Sequence, residues 1–174
     1  MEKQLKSVVA TSSDYEKVFN TLLDTAKWLN KKGSDQWGDL LLGKDVHRTD
    51  RAIQNQNVYM AYSKENYLGV FILLETQSSW DAELWGKDSG IHITYLHRVA
   101  LAEEAHGSGN GELLLRVAMN RAVKNDNRVI RLDCIADNHY LNQFYKNAGF
   151  VLVETDKEVR SNSQSKFNLY EKAF

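Results

Sequence analysis

One short segment constrains this chain more than any other: His106-Gly107-Ser108-Gly109-Asn110-Gly111, set between a strand-like run and an amphipathic run. Upstream, Ile91 to Leu101 reads as a strand. Downstream, from about Glu112 to Lys124, the residues Leu114, Leu115, Ala118, Met119 and Ala122 recur at helical spacing. Alternating glycines open backbone angles closed to other residues and let a ligand approach the amides with no Cβ in the way. A helix starting there leaves its first N–H groups unpaired and presents the positive end of its dipole. Together these features make a cradle for phosphate or pyrophosphate. A turn that merely folds a strand onto a helix has the same composition, and the loop alone leaves both readings open.

Two nucleotide motifs fail against it. A Walker-type loop needs Gly-Lys-Ser/Thr at the helix start, whereas Gly111 is followed by Glu112, whose carboxylate repels a triphosphate. A Rossmann fingerprint has its third glycine one residue later, and too little chain follows Asp133 to complete a doubly wound sheet.

The rest of the chain bounds the answer. Its 174 residues suit a single domain spanning 1–174 with a real core. Lys plus Arg is 22 against 23 for Asp plus Glu, so no basic excess exists to drive nucleic-acid binding. The apolar runs are short, so no membrane partner is expected, and the first residues lack the apolar stretch of a secretory leader. The single Cys134 fits a reducing, cytoplasmic compartment. With no proline, every helix and turn must end on Gly, Asn, Asp or Ser.

Periodicity then supplies the element order. Gln4 to Ala10 reads as a strand. A Ser13–Glu16 capping box opens a helix whose apolar positions run from Tyr15 and Val18 to Leu29, stopped at Gly33. Ser34 to Asn57 is irregular, carries Gln36 and Trp37, and holds a short helix over about Asp50 to Gln56. Val58 to Tyr62 and Tyr67 to Thr76 form a hairpin, the second strand apolar enough to be buried on both faces. A loop with Trp80, Trp85, Gly86 and Gly90 leads to Ile91. After the glycine loop and its helix come a strand over Val129 to Ile135 and a helix with Leu141, Phe144, Tyr145 and Ala148 on one face, closed by Gly149. Phe150 to Glu154 and Phe167 to Glu171 are two last strands joined by a polar loop. The order βααβββαβαββ predicts an α/β fold with a mixed central sheet of about seven strands flanked by helices.

Leu96 to Leu115, LHRVALAEEAHGSGNGELLL, resembles the strand–glycine loop–helix motif of the GNAT superfamily of acetyl-CoA-dependent N-acetyltransferases. Asp137 to Phe150, DNHYLNQFYKNAGF, resembles that family's following motif, and WLNKKGSDQW, Trp28 to Trp37, is similar to its first-helix region in small bacterial members. The element order is also that of the family, so the likeness spans nearly the whole chain. One departure is His106, where Arg or Gln is usual; the imidazole either meets the pyrophosphate or caps the loop.

The resemblance implies acetyl-CoA as cosubstrate, with the pyrophosphate on His106, Gly107, Ser108, Gly109, Asn110 and Gly111. The pantetheine arm would pair with the backbone of Val99, Ala100 and Leu101, and the strand Val129 to Ile135 would splay away to admit it. Broken alternation at Val99 to Leu101 agrees with a bulge there, although an ordinary buried strand gives the same pattern. Asn138 would contact the cofactor or cap its helix.

Acetyl transfer to an amine requires removing a proton from the ammonium, polarising the thioester and protonating the departing thiolate. By resemblance Tyr145 is the general acid, against core packing as the alternative. His97 is the candidate base or water relay, against a structural histidine, because an imidazole titrates near neutrality; serotonin N-acetyltransferase, a member of the superfamily, has a His at the similar strand position. Glu75 and Tyr95 are further candidates. No metal site is expected: His92 and His97 would face opposite sides of a regular strand, and His139 and Cys134 have no companion set. Cys134 reads as a small core residue.

The implied partner is a small-molecule amine or amino-acid-like acceptor rather than a protein, in a monomer or homodimer. Trp37, Trp80 and Trp85 are candidates for the rim of the acceptor cleft, and Asp81, Glu83 and Asp88 for attracting its charge. The competing expectation is a non-catalytic acyl-CoA-binding module of the same fold.

Overall fold

The structure, a computed structural model, describes residues 4–88 and 90–174. The elements in chain order are β1 (Leu5–Val9), α1 (Tyr15–Lys31), α2 (Gly38–Leu41), α3 (Thr49–Gln54), β2 (Val58–Ser63), β3 (Asn66–Leu74), α4 (Ser79–Trp85), β4 (Ile93–Leu101), α5 (Asn110–Lys124), β5 (Val129–Ile135), α6 (His139–Asn147), β6 (Val151–Val159) and β7 (Asn162–Ala173). The strands form a seven-stranded sheet in the order β1-β2-β3-β4-β5-β7-β6. β4 and β5 run parallel, while β1–β2, β2–β3, β5–β7 and β6–β7 are antiparallel. This is the mixed sheet that the element order predicts.

The chain forms two compact units, Met1–Leu73 with Arg98–Ala118 and Leu74–His97 with Met119–Phe174, with β4 divided between them. In the first unit, α1 buries Val18, Leu22 and Ala26 along one stripe, the spacing its sequence dictates. Its entry differs from expectation. The capping box is Thr11–Asp14, not Ser13–Glu16: the Thr11 amide donates to Asp14 Oδ2 at 2.8 Å, and a 3-10 turn over Ser12–Asp14 precedes the α-helix. Gly33 ends the helix with φ +83, as expected. The irregular stretch holds two short helices, α2 and α3, and the second begins where Asp45 Oδ2 accepts from the Thr49 amide at 2.7 Å.

β3 is buried without interruption from Leu68 to Ile72 and Leu73, as its apolar run predicts. At Gly69 it approaches β4 so closely that a Cβ would lie 2.0 Å from the Ala100 carbonyl oxygen. The glycine is therefore required by contact as well as by its φ of +148. Opposite it, β4 breaks its regular path at Arg98, a non-glycine residue at φ +49. A left-handed residue inside a strand is bulge geometry, and it falls one residue before the segment where alternation fails.

In the second unit, the expected loop around Trp80 and Trp85 is a helix, α4. Ser78 caps it: Ser78 Oγ accepts from the Asp81 amide at 3.1 Å, and Asp81 Oδ2 accepts from the Ser78 amide and hydroxyl. Leu84 packs with Val159, Phe167 and Leu169, flanked by Trp80, Trp85 and Ile135. These tertiary contacts stabilise a seven-residue helix that would be marginal alone. The last two strands also differ from expectation. Instead of two short strands and a polar loop, β6 and β7 form one long hairpin closed at Arg160–Ser161, with register shifts near Leu152, Glu154 and Glu158. Backbone pairing needs no apolar pattern on an outer strand, so the polar residues 155–166 concealed it.

Among the described residues no helix is long and apolar enough to cross a membrane. Replacing Gly69 by Ala forces the clash with Ala100 and destabilises the fold by about 1–3 kcal/mol. A thermal melt of the variant checks this; an unchanged melting temperature refutes the steric account.

Candidate active site

The glycine loop lies in the first unit. Gly107, Ser108 and Gly109 adopt φ of +86, +58 and +73 in succession, a path that turns the chain from β4 into α5. Ser108 thus shares the left-handed backbone that its glycine neighbours adopt without strain. A Cβ at Gly107 or Gly109 meets nothing within 4 Å, so the side facing outward from these residues is open. His106 to Gly109 are exposed, and Asn110 is half-buried. Asn110 is not turned toward a ligand: its Nδ2 donates to the Ala105 carbonyl at 2.8 Å and ties the loop down. At the start of α5, the Leu113 N–H donates to the Gly109 carbonyl. The amides of Gly111 and Glu112 lie in the turn where a helix has no internal acceptor.

His106 packs its ring against Trp28 of α1, with centroids 5.6 Å apart, and Lys32 Nζ lies 5.7 Å from the same indole. The imidazole that replaces the usual Arg or Gln is therefore seated on an aromatic face. Val99, Ala100 and Leu101 follow the break at Arg98, with Ala100 buried and its neighbours half-buried. The Arg98 guanidinium lies 5.3 Å over Trp37, and its Nη atoms are buried. Burial lowers its pKa, and the Asp39 and Asp45 carboxylates oppose that effect. Trp37 thus packs on a β4 side chain.

The second unit holds the titratable groups. β4 and β5 pair in parallel from Ile93↔Val129 through Tyr95↔Arg131. The next positions on that face, His97 and Asp133, lie beyond the last paired residues. α4 covers the face and brings Asp81 to His97, both Asp81 oxygens lying 3.0 Å from His97 Nε2. Asp81 is 1% exposed, whereas the His97 side chain is 22% exposed. Trp80 Nε1 donates to Asp133 Oδ1 at 3.1 Å. Burial pushes the Asp133 carboxyl up; the His97 charge and the Trp80 bond oppose that rise, and the Asp81 charge adds to it.

Ligand atoms of Asp81, His97 and Asp133 all lie within 4.8 Å of one another, a grouping with metal-compatible dimensions that sequence spacing did not anticipate. Hydrogen bonds tie Asp81 to His97 and to Ser78, and Asp133 to Trp80. His92 takes no part. It precedes β4 at φ +67, and its Nδ1 lies 2.7 Å from the Asp126 carbonyl oxygen.

Tyr145 sits on α6 with its ring against Phe144, Phe150 and Tyr170. Burial raises the phenol well above the ordinary tyrosine range, with the charges of Cys134 and Asp133 adding to the rise. The group is held in its protonated form. The start of α6 is fastened by Asn142, a buried amide that sequence reading missed. Its Nδ2 donates to the carbonyls of Ile135 and Asn138, and its Oδ1 accepts from Asn168 and from the Tyr170 hydroxyl. Asn138 caps the same helix, its Oδ1 accepting from the Leu141 amide at 3.0 Å.

Several other candidates are already engaged. The Tyr95 hydroxyl donates to Asp88 and accepts from Arg131 and Gln77. Arg131 also pairs with Glu171 and lies over Trp85. Glu75 accepts from Asn127, and Glu83 from the Arg160 amide. Asp81, Asp88 and Glu83, the candidates for attracting the acceptor, each accept hydrogen bonds within the protein. Cys134 is buried, and burial pushes its thiol up to about 12, which agrees with a small core residue.

The profile of the acetyltransferase (GNAT) family matches residues 22–150. A curated protein of Bacillus subtilis (strain 168), the uncharacterized N-acetyltransferase YesJ, is 34% identical over 163 residues, covering 94% of this chain and 87% of that protein. A GNAT-family acetyltransferase from Listeria monocytogenes 4b F2365 superposes with a TM-score of 0.77 at 30% identity, over 98% of this chain and 95% of the other. A Bacillus subtilis acetyltransferase in complex with CoA shares the fold at a TM-score of 0.60 and 14% identity, over 98% and 99% of the two chains. With the glycine loop, the broken fourth strand and the seven-stranded mixed sheet in place, these likenesses have one meaning: the chain belongs to the acetyltransferase (GNAT) family and is an acetyl-CoA-dependent acyltransferase.

Proposed function

We propose that this enzyme transfers the acetyl group of acetyl-CoA to a primary amine of a small, amino-acid-like acceptor by direct attack. His97 takes the ammonium proton and Tyr145 protonates the departing thiolate. One observation carries the reading: a histidine stands just past the end of the β4–β5 ladder, held by a buried carboxylate. In that position a neutral imidazole can accept a proton where the two parallel strands are no longer paired. The amine nitrogen then attacks the thioester carbon, the carbon–sulfur bond breaks, and the phenol proton passes to the sulfur.

Tyr145 is assigned the acid role from its place on α6, four residues before Gly149, where the family resemblance puts the acid; its phenol carries a proton at neutral pH. The cofactor is assigned to the glycine loop and to the backbone of Val99 to Leu101. The pyrophosphate would lie on the exposed amides from Gly107 to Gly111, and Asn110 would act by anchoring the loop rather than by contact. Asn138 is assigned a capping role beside the cofactor.

A screen for acetyl-CoA-dependent thiol release across simple amines, amino acids and short peptides tests the acceptor class. Turnover with small amines or amino acids supports the proposal; turnover with peptides alone refutes it.

The loop assignment has its own test. Gly109→Asp adds a negative charge where the new Cβ meets no neighbour; the left-handed backbone there is strained for a side chain, Asp being among the residues that tolerate it best, and a thermal melt checks that the variant folds. Calorimetric titration should then show acetyl-CoA binding abolished; normal binding would place the pyrophosphate elsewhere.

Tyr145→Phe keeps the ring contacts and removes the hydroxyl. Turnover should fall by about 10²-fold or more while acetyl-CoA affinity changes little. The wild type should also show no loss of turnover from phenol ionisation up to roughly pH 10, the ordinary tyrosine value, because the folded-state shift is upward. Unchanged turnover in the Phe variant removes Tyr145 from the chemistry.

A further inference from the structure

We propose that Asp81 is a positioning residue for His97, and that Asp81, His97 and Asp133 together form the site that receives the proton leaving the acceptor ammonium. The inference rests on the reading of His97 as proton acceptor given above.

Asp81 has two jobs. As the third residue of the α4 capping box it accepts from Ser78 through Oδ2. That task places no demand on an imidazole. Yet the carboxylate is 1% exposed, and both of its oxygens lie 3.0 Å from His97 Nε2. A carboxylate removed from water is costly unless donors or a cation compensate it, and the histidine joins the two Ser78 donors in doing so.

The second carboxylate, Asp133, stands on β5 beside the unpaired continuation of β4 and is held by Trp80 of the same helix. The other charged or titratable groups on this face are committed elsewhere. Arg131 pairs with Glu171 and stacks on Trp85, Tyr95 donates to Asp88, and the Cys134 thiol next along β5 is neutral. His97 therefore has the Asp81 and Asp133 carboxyl groups close by.

The chemistry follows from that placement. Asp81 holds a proton on Nε2, which fixes the tautomer and the plane of the ring. The amine's proton is taken up at Nδ1, leaving the nitrogen lone pair for attack on the thioester. The resulting imidazolium is stabilised by Asp81 and Asp133 until it returns a proton to solvent. No oxidant, metal or further reactant enters this balance. A lone histidine on a strand would lack both the fixed tautomer and the stabilised charged form.

The test begins without an acceptor. In the full-length protein with ¹⁵N-labelled histidine, NMR should report the neutral His97 ring as the Nε2–H tautomer. Asp81→Asn should move its titration midpoint to lower pH by about one unit or more, because an adjacent carboxylate is lost. Asp133→Asn should move it the same way, and serves if Asp81→Asn does not fold. Ser78→Ala removes a capping contact but keeps the Asp81 charge, so it should lower the melting temperature and move the midpoint far less than Asp81→Asn does.

With an acceptor from the screen, the acidic limb of the kcat/KM profile should shift to lower pH in both Asn variants. His97→Ala should lose about 10²-fold at neutral pH, a loss that shrinks at high pH where the amine deprotonates unaided. A wild-type rate profile for His97→Ala overturns the base reading itself. An active role for His97 with unmoved midpoints in both Asn variants overturns only the assignment of Asp81 and Asp133. Loss of turnover on chelator dialysis, restored by Zn²⁺ or Mn²⁺, would make the three residues a cation site and also overturn it.

Discussion

β4 has to abandon regular pairing partway along, and much of the site depends on where it does so. Its ladder with β5 runs through Tyr95↔Arg131, and its backbone turns left-handed at Arg98. Gly69 of β3 presses against Ala100 at a distance no side chain permits. A fully paired strand would spend its N–H and C=O groups on neighbours. A strand released past Tyr95 can present the backbone of Val99 to Leu101 to a cofactor and the side chain of His97 to a substrate.

Around that interruption, the second unit builds a polar layer between α4 and the strands β4, β5 and β7. Trp80 reaches Asp133 and packs edge-on to Phe167, Asp81 reaches His97, and Trp85 covers Arg131. A helix of seven residues thus makes three polar or cation–π contacts, and it is anchored by Leu84 against Val159, Phe167 and Leu169. The price of placing a carboxylate inside this layer is its desolvation, which the imidazole offsets. Asn142 does comparable work under α6, where one buried amide satisfies strand and helix carbonyls and accepts two bonds from β7. Through it the helix that carries Tyr145 is fastened to the sheet.

The first unit solves a different problem, holding the glycine loop open. Three successive left-handed residues keep Gly107 to Gly109 clear of the protein, and two side chains at the ends of the loop hold it in place. Asn110 ties the loop to Ala105, and His106 rests on Trp28. Loss of the usual Arg or Gln at position 106 therefore leaves the backbone cradle intact.

Local pattern alone determined the order of strands and principal helices, the glycine turn into α5, the stop at Gly33, and the buried character of β3. Each is written in neighbouring residues through period, capping and backbone freedom. The family was legible for the same reason, since its motifs are contiguous. Tertiary structure alone decided that Ser79–Trp85 is a helix, that residues 155–166 belong to a hairpin, and that Asp81 meets His97. A seven-residue helix gains its stability from packing against residues far along the chain. The union of Asp81, His97 and Asp133 joins positions up to 52 apart across α4, β4 and β5. No spacing rule covers such a meeting, because the sheet brings β4 beside β5 only after the chain has folded.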